Sequence, residues 1–173
     1  MLVSLCAGQG HDVIGVLPDH PRRGDVRAVL VESDARNVVL ARRAAAGQGL
    51  PGVGVRQADA GLVAGFADVL PADVLLLCGI FGNVSDHDIR RTVQTAPALC
   101  RAGATVIWTR HRREPDLTPA IRKWFETAGF TEVAFEGPDE FIFGVGMNRL
   151  AKPPEPFRES KMFEFVGSDQ NWE

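Results

Sequence analysis

The sequence predicts an α/β fold, in which a mostly parallel sheet of seven strands is covered by helices on both faces. Three observations predict it. Short continuous apolar runs, of the kind found in strands buried on both faces, alternate with segments whose apolar residues recur at helical spacing. The apolar runs end in glycine or an acid rather than in hairpin turns. The last two strands are separated only by Gly137-Pro138-Asp139, too short a gap for a parallel crossover, so they must form an antiparallel hairpin.

Taken in order, residues 2–6 form the first strand, and Ala7-Gly8-Gln9-Gly10 follows at once. A helix over 11–17 comes next, with apolar Val13, Ile14 and Leu17. Strand, glycine turn and helix is the layout of a cofactor-binding βα unit. Backbone without a Cβ at Gly8 and Gly10 can approach a ligand closely, and the opening helix points its free N–H groups at the turn. A Pro/Gly/Arg-rich loop spans 18–25, and a second strand spans 28–31 and ends in Glu32-Ser33-Asp34. Val38, Val39, Ala41 and Ala45 line a second helix that stops near Gly47. A weak third strand over 53–57 ends at Asp59, and a helix is expected over 62–70. The fourth strand, 73–78, runs into Gly79-Ile80-Phe81-Gly82-Asn83, and Ser85 caps a helix from Asp86 to about Pro97. A fifth strand covers 104–109. Thr118 caps a helix that has Pro119 in its first turn and ends at Gly129. The sixth and seventh strands cover 131–135 and 140–150. Residues 1–150 read as one domain. Residues 151–173 form a polar, proline-rich tail, whose apolar patch at 162–166 packs as a strand or stays loose.

Composition narrows the function. The 173 residues are 45% hydrophobic and 24% charged, enough for a sizeable core. A net charge of −3 with short, scattered basic clusters argues against nucleic acid as the main partner. Of those clusters, the one at 110–113 is placed to hold an anion. Three cysteines without C-x-x-C spacing point to a reducing cytoplasm. No apolar run reaches the roughly 18 residues of a membrane span, so no membrane partner is expected. No metal-site, serine-hydrolase or P-loop motif is present. A small-molecule substrate is the expected partner, and a homo-oligomer stays open.

Several strand ends carry chemistry. Parallel strands bring their C-terminal ends to one edge, where ligands bind at the switch point of the strand order. Glu32 is placed there to accept both hydroxyls of a ribose. Asp34 reads as the N-cap of the second helix. Asp59 can accept the exocyclic amine of a purine, with the Ala60 N–H facing the ring; the alternative is that it stabilises its own turn. Carbonyls at Cys78 and Gly79 suit a ligand's ammonium group. Asn83, Asp86, His87 and His111 lie near the same edge. His87 is a candidate base, against the alternative of a surface histidine in the first turn of a helix. Trp108 reads as core.

These positions resemble the class I S-adenosylmethionine-dependent methyltransferases over nearly the whole chain. Leu5-Cys6-Ala7-Gly8-Gln9-Gly10 looks like the family's first motif, with Cys6 in place of its first glycine. Val31-Glu32-Ser33-Asp34 with Leu40-Ala41-Arg42-Arg43 looks like the second, Gln57-Ala58-Asp59-Ala60 like the third, and the run from Asp73 to Gly79 like the fourth. Arg101-Ala102-Gly103-Ala104 resembles the glycine turn before strand five. The resemblance implies a Rossmann-like, doubly wound three-layer α/β/α sandwich with strand order 3-2-1-4-5-7-6 and strand 7 antiparallel. It implies S-adenosylmethionine as cofactor, S-adenosylhomocysteine as product, and Cys6, Ala7, Gly8, Gly10, Glu32, Ser33, Asp59, Ala60, Cys78 and Gly79 as the cofactor-binding set. The expected reaction is methyl transfer to an unidentified, small-molecule acceptor. A NAD(P)-dependent oxidoreductase is the alternative, since G-x-G and an acid some 20 residues on are shared, but Val13 stands where its third glycine belongs. A non-catalytic methyltransferase-like binding protein is a further alternative. Relatives carry helices ahead of strand one, which here begins at Leu2. The expectation is therefore weak cofactor binding and slow turnover, unless a longer natural product, another subunit or the 162–166 patch supplies cover.

Overall fold

The computed structural model describes residues 1–138, 142–156 and 159–166. Its sheet has seven strands: β1 (Leu2–Leu5), β2 (Ala28–Glu32), β3 (Val53–Gln57), β4 (Ala72–Leu77), β5 (Cys100–His111), β6 (Phe130–Glu136) and β7 (Phe143–Leu150). The order is β3-β2-β1-β4-β5-β7-β6. The pairs from β3 through β5 are parallel, and β7 lies antiparallel between β5 and β6. Both the order and the reversed seventh strand agree with expectation. The expected start of that strand and part of its hairpin gap, residues 139–141, lie outside the described residues, as do 157–158 and 167–173 of the tail.

The α-helices among the described residues are α1 (His11–Ile14), α2 (Ala35–Gly47), α3 (Asp86–Leu99) and α4 (Thr118–Thr127). Alternation along each strand feeds two cores. On β2, Ala28 and Leu30 meet Val13 and Ile14 of α1 and Ala41 and Ala45 of α2. Val31, one residue on, joins the opposite core with Ile89 and Val93 of α3 and Ile121 and Phe125 of α4. Trp108 is fully buried there, stacked on Phe125 with ring centroids 5.8 Å apart. Its indole N–H donates to Asn148 Oδ1 at 2.8 Å, satisfying a group that would be costly to bury alone. Among the described residues no helix is long and apolar enough to cross a membrane.

Four local expectations are corrected. The first helix stops at Ile14, and a 3-10 turn, Leu17–Asp19, follows before the loop. The 62–70 segment forms two 3-10 turns, Val63–Gly65 and Ala67–Val69, instead of a helix. Its Gly65 carbonyl accepts from Arg56 at 3.2 Å, and Val63 and Phe66 are wholly buried, so burial and a side-chain donor replace a regular ladder. Thr118 does not cap α4 but opens it; Asp116 Oδ1 accepts from the Thr118 N–H at 2.9 Å and from its hydroxyl at 2.8 Å. β5 is longer than expected at both ends, because Cys100 pairs with Ala72 and His111 pairs with Phe143.

The tail folds back across the sheet. Met162 and Phe163 are buried in the α3–α4 core. Bridges join Leu62 to Lys161 and Val84 to Phe165. The Met162 N–H donates to the Gly61 carbonyl at 2.7 Å, and the Glu164 N–H donates to Asp88 Oδ2 at 3.0 Å.

Candidate functional site

The C-terminal ends of β1, β2, β3 and β4 share one edge, and cross-strand bonds pin the loops that leave them. The Ala7 N–H donates to the Val31 carbonyl at 3.0 Å, and the Ala58 N–H to the Glu32 carbonyl at 3.0 Å. The Glu32 side chain completes the frame. It is 8% exposed; Oε2 accepts from the Gly8 N–H at 2.7 Å and Oε1 from the Asp34 N–H at 2.8 Å. Glu32 therefore ties the glycine turn after β1 to the start of α2. A carboxylate has about four acceptor positions, so two bonds do not exhaust it.

The turn itself is left-handed at three places: Cys6 at φ 54°, Gly8 at 56° and Gly10 at 76°. A Cβ built on Gly8 would meet nothing within 4 Å, which leaves an open cradle beside Glu32. Gly10 differs. A Cβ there would lie 2.6 Å from Leu30 Cδ1 and 2.8 Å from Ile14 Cδ1, so its glycine is demanded by packing between α1 and β2. Gly79, at φ 73°, again opens onto free space. Its N–H donates to Thr109 Oγ1 at 2.9 Å, and its carbonyl accepts from Asn83 at 2.7 Å. Asp34 caps α2 by accepting from the Arg36 N–H at 2.8 Å, as expected; the Arg36 guanidinium first, and then that N–H, hold its carboxyl down to about 2. Ser33 is exposed beside it. Asp59 accepts from the Gly61 N–H at 2.8 Å, the turn-stabilising use of one of its oxygens, and Ala60 is buried behind it.

Two thiols lie at this edge in their protonated form. Burial first, then Glu32 and Asp59, push Cys6 up to about 12; burial and then Asp12 push Cys78 up to about 11. Neither is a nucleophile at neutral pH.

Asp12 is the residue that sequence reasoning passed over. It belongs to α1, yet its Oδ2 accepts from the fully buried Ser4 hydroxyl at 3.2 Å, which aims it back at the end of β1. Desolvation raises its carboxyl above the usual range, against the Ser4 bond and its own N-terminal N–H groups. An acid at the second position of a helix after G-x-G was the available signal. His87 is exposed, with its ring 3.4 Å from Asp88, as a first-turn surface histidine would be.

A cavity of ≈ 300 Å³ opens beside Gly79, between Asn83, Thr109, Arg110, His111 and the Phe143 ring. A larger hollow of ≈ 400 Å³ near Leu70, Pro71 and Cys100 sits at the opposite, N-terminal ends of β4 and β5, away from these groups.

No family model matches the chain, and no curated protein matches it. Solved structures do. An O-methyltransferase family protein from Burkholderia thailandensis superposes with a TM-score of 0.69 at 17% identity, over 86% of this chain and 50% of that one. This chain thus spans about half the length of that protein. An RNA methyltransferase from Salinibacter ruber, solved with S-adenosyl-L-homocysteine, gives 0.60 at 20% identity, over 92% of this chain and 84% of that one. The [4+2]-cyclase SpnF gives 0.65 at 13% identity, over 89% and 74% respectively. With the strand order and the reversed β7, these likenesses show that the chain has the class I S-adenosylmethionine-dependent methyltransferase fold.

Proposed function

We propose that the chain is an S-adenosylmethionine-dependent methyltransferase acting on a small-molecule acceptor. The observation that carries the reading is the frame at the β1/β4 switch point. Glu32 is held by the Gly8 N–H, and two glycines, Gly8 and Gly79, leave open space on either side where a ligand's backbone contacts would fall. Those residues fit the cofactor. Glu32 would accept from the ribose hydroxyls, Asp59 from the exocyclic amine of the purine while the Ala60 N–H donates to the ring, and the Cys6–Gly10 turn with Ser33, Cys78 and Gly79 would line the rest. When bound, S-adenosylmethionine supplies an electrophilic methyl group on a sulfonium. The protein's part is then orientation and exclusion of water rather than covalent chemistry. The tail bonds to the loops after β3 and β4, at Gly61 and Asn83, and is the segment that would contribute to the second.

The nicotinamide alternative is weaker, because β7 departs from a plain doubly wound sheet and Val13 is packed in the core at 2% exposure. SpnF, a cyclase on this fold, marks the other boundary, because the fold does not by itself fix the reaction.

Calorimetric titration tests the reading. S-adenosylhomocysteine should bind in the low micromolar to millimolar range, and NAD should give no saturable heat. Glu32→Ala should weaken binding on the order of a hundredfold, since hydrogen bonds to a charged group are worth roughly 1.5–3 kcal/mol each. Asp34→Ala should leave binding nearly intact, because it removes a helix cap. Saturable heat with NAD but none with S-adenosylhomocysteine overturns the proposal. Equal losses from the two variants would mean that the ribose acid is misassigned.

A further inference from the structure

β5 outruns β4 at the sheet edge. β4 ends at Leu77, whereas β5 continues to His111, since β7 pairs with it as far as Phe143. The extra length carries Arg110 and His111 past Gly79 and into the wall of the ≈ 300 Å³ cavity. Arg110 is 9% exposed, a rare degree of burial for an arginine. One guanidinium nitrogen, Nη1, donates to the Phe81 carbonyl and fixes the group in place. Its buried Nε has no hydrogen-bond partner among the described residues, and neither has the buried Nδ1 of His111. Buried donors are normally satisfied, and a fixed, desolvated guanidinium with an unused donor is built to meet an anion.

The surrounding charges agree. Arg113 lines the same cavity. Burial first, then Arg110 and Arg113, push the His111 imidazole below its ordinary 6.5, while Asp116 opposes them. Among the described residues, the acids that face Arg110 are Asp86 and Asp116. Asp116 is already engaged by the Thr118 N–H and hydroxyl, and its carboxyl lies 3.7 Å from Arg112. Phe143, half exposed at the rim, offers an aromatic face to a planar ligand.

We propose that this cavity is the acceptor subsite and takes a small acceptor bearing a carboxylate or similar anionic group, bound by the Arg110 guanidinium with Arg113 and His111 beside it. The inference rests on the methyl-transfer reading for the word acceptor; the anion site itself does not depend on it. The volume suits a molecule of one ring. The overall charge of −3 disfavours a nucleic-acid acceptor.

The test follows the His111 ring resonances by NMR while the protein is titrated with benzoate, with inorganic phosphate, and with benzamide as the neutral counterpart. An anion should shift them saturably, with benzoate favoured by Phe143, while benzamide at the same concentration leaves them unmoved. A bound anion should also raise the His111 pKa in the wild-type protein, a readout that needs no variant. Arg110→Gln should weaken benzoate at least tenfold. Because that variant also loses the bond to Phe81, the wild-type His111 titration decides the matter where the variant does not fold. No saturable shift with either anion, or equal shifts with benzamide, overturns the proposal. So does a short single-stranded RNA that perturbs His111 when benzoate does not. A parallel S-adenosylhomocysteine titration separates the two readings. Cofactor binding without anion binding removes the acceptor subsite alone, and anion binding without cofactor binding removes the methyl-transfer reading alone.

Discussion

Gly8 and Gly10 sit two residues apart with similar backbone angles and have different reasons to be glycine. At Gly8 a methyl group would meet nothing in the protein, so only the left-handed φ of 56° resists substitution. At Gly10 the same φ penalty is joined by collisions with Leu30 and Ile14. Gly8→Ala should therefore cost about 1–2 kcal/mol of stability while its methyl group fills the cradle beside Glu32, weakening S-adenosylhomocysteine at least tenfold. Gly10→Ala adds overpacking of about 1–3 kcal/mol to the same strain, so its effect should fall on folding. Urea unfolding paired with ligand titration separates them; a Gly8→Ala protein that binds as the wild type does would remove Gly8 from the cofactor cradle. At this scale the sequence was legible where a residue sat at a strand end. Asp34 was readable as the cap of α2, and Glu32 as the acid that ends β2, while its part in holding a ribose belongs to the proposal. The role of Asp12 was not readable, because it depends on a side chain turning back toward Ser4, eight residues earlier; Asp116 carried a readable signal, since it precedes Thr118 by the same two residues that separate Asp34 from Arg36 and Asp59 from Gly61.

The described part of the tail has little regular structure but specific anchoring. It forms isolated bridges rather than a continuous ladder, yet it inserts Met162 and Phe163 into the core and hangs on Asp88, at the N-terminus of α3. Burial pushes the Asp88 carboxyl up, but the Glu164 N–H, His87 and Arg91 outweigh that and hold it below the ordinary range. A carboxyl lowered by folding stabilises the native state fully above its unfolded pKa, near 3.8, and loses that contribution as pH falls through the folded value. Asp88→Asn should thus lower stability by roughly 1.5–3 kcal/mol at pH 7, and the gap between variant and wild type should close in acid below pH 3.8. A gap that persists unchanged at low pH would show that the charge of Asp88 is not what holds the tail. Phe163→Ala, by removing a buried ring, should cost about 3–5 kcal/mol at any pH. The regular elements were readable because apolar runs such as Leu75–Leu76–Leu77 have one use in a parallel sheet. The 62–70 segment was not, because Gly65 and the Arg56 bond to its carbonyl break a pattern whose apolar spacing alone reads as helical.

For the molecule as a whole, the proposed cofactor would touch loops after β1, β2, β3 and β4, which are contributed by both halves of the parallel sheet on either side of the switch point. A ligand held that way is released when either half opens, so it should protect the whole β3–β4 span against unfolding, while the β5–β7–β6 end gains only through cooperativity. The size of the effect follows from mass action. A ligand at one hundred times its dissociation constant stabilises the native state by about 2.7 kcal/mol. For a chain of 173 residues, each kcal/mol moves the melting temperature by roughly 2–4 °C. Saturating S-adenosylhomocysteine should accordingly raise Tm by roughly 5–10 °C, and NADH at the same concentration should not move it. Hydrogen exchange should place the added protection first in the amides of Gly8, Asp34 and Ala58, whose acceptors are Glu32 atoms and which therefore share one frame. A Tm rise with protection confined to β5 and β7 would locate the ligand away from the switch point. A rise with NADH instead would transfer the glycine turn and Glu32 to nicotinamide chemistry.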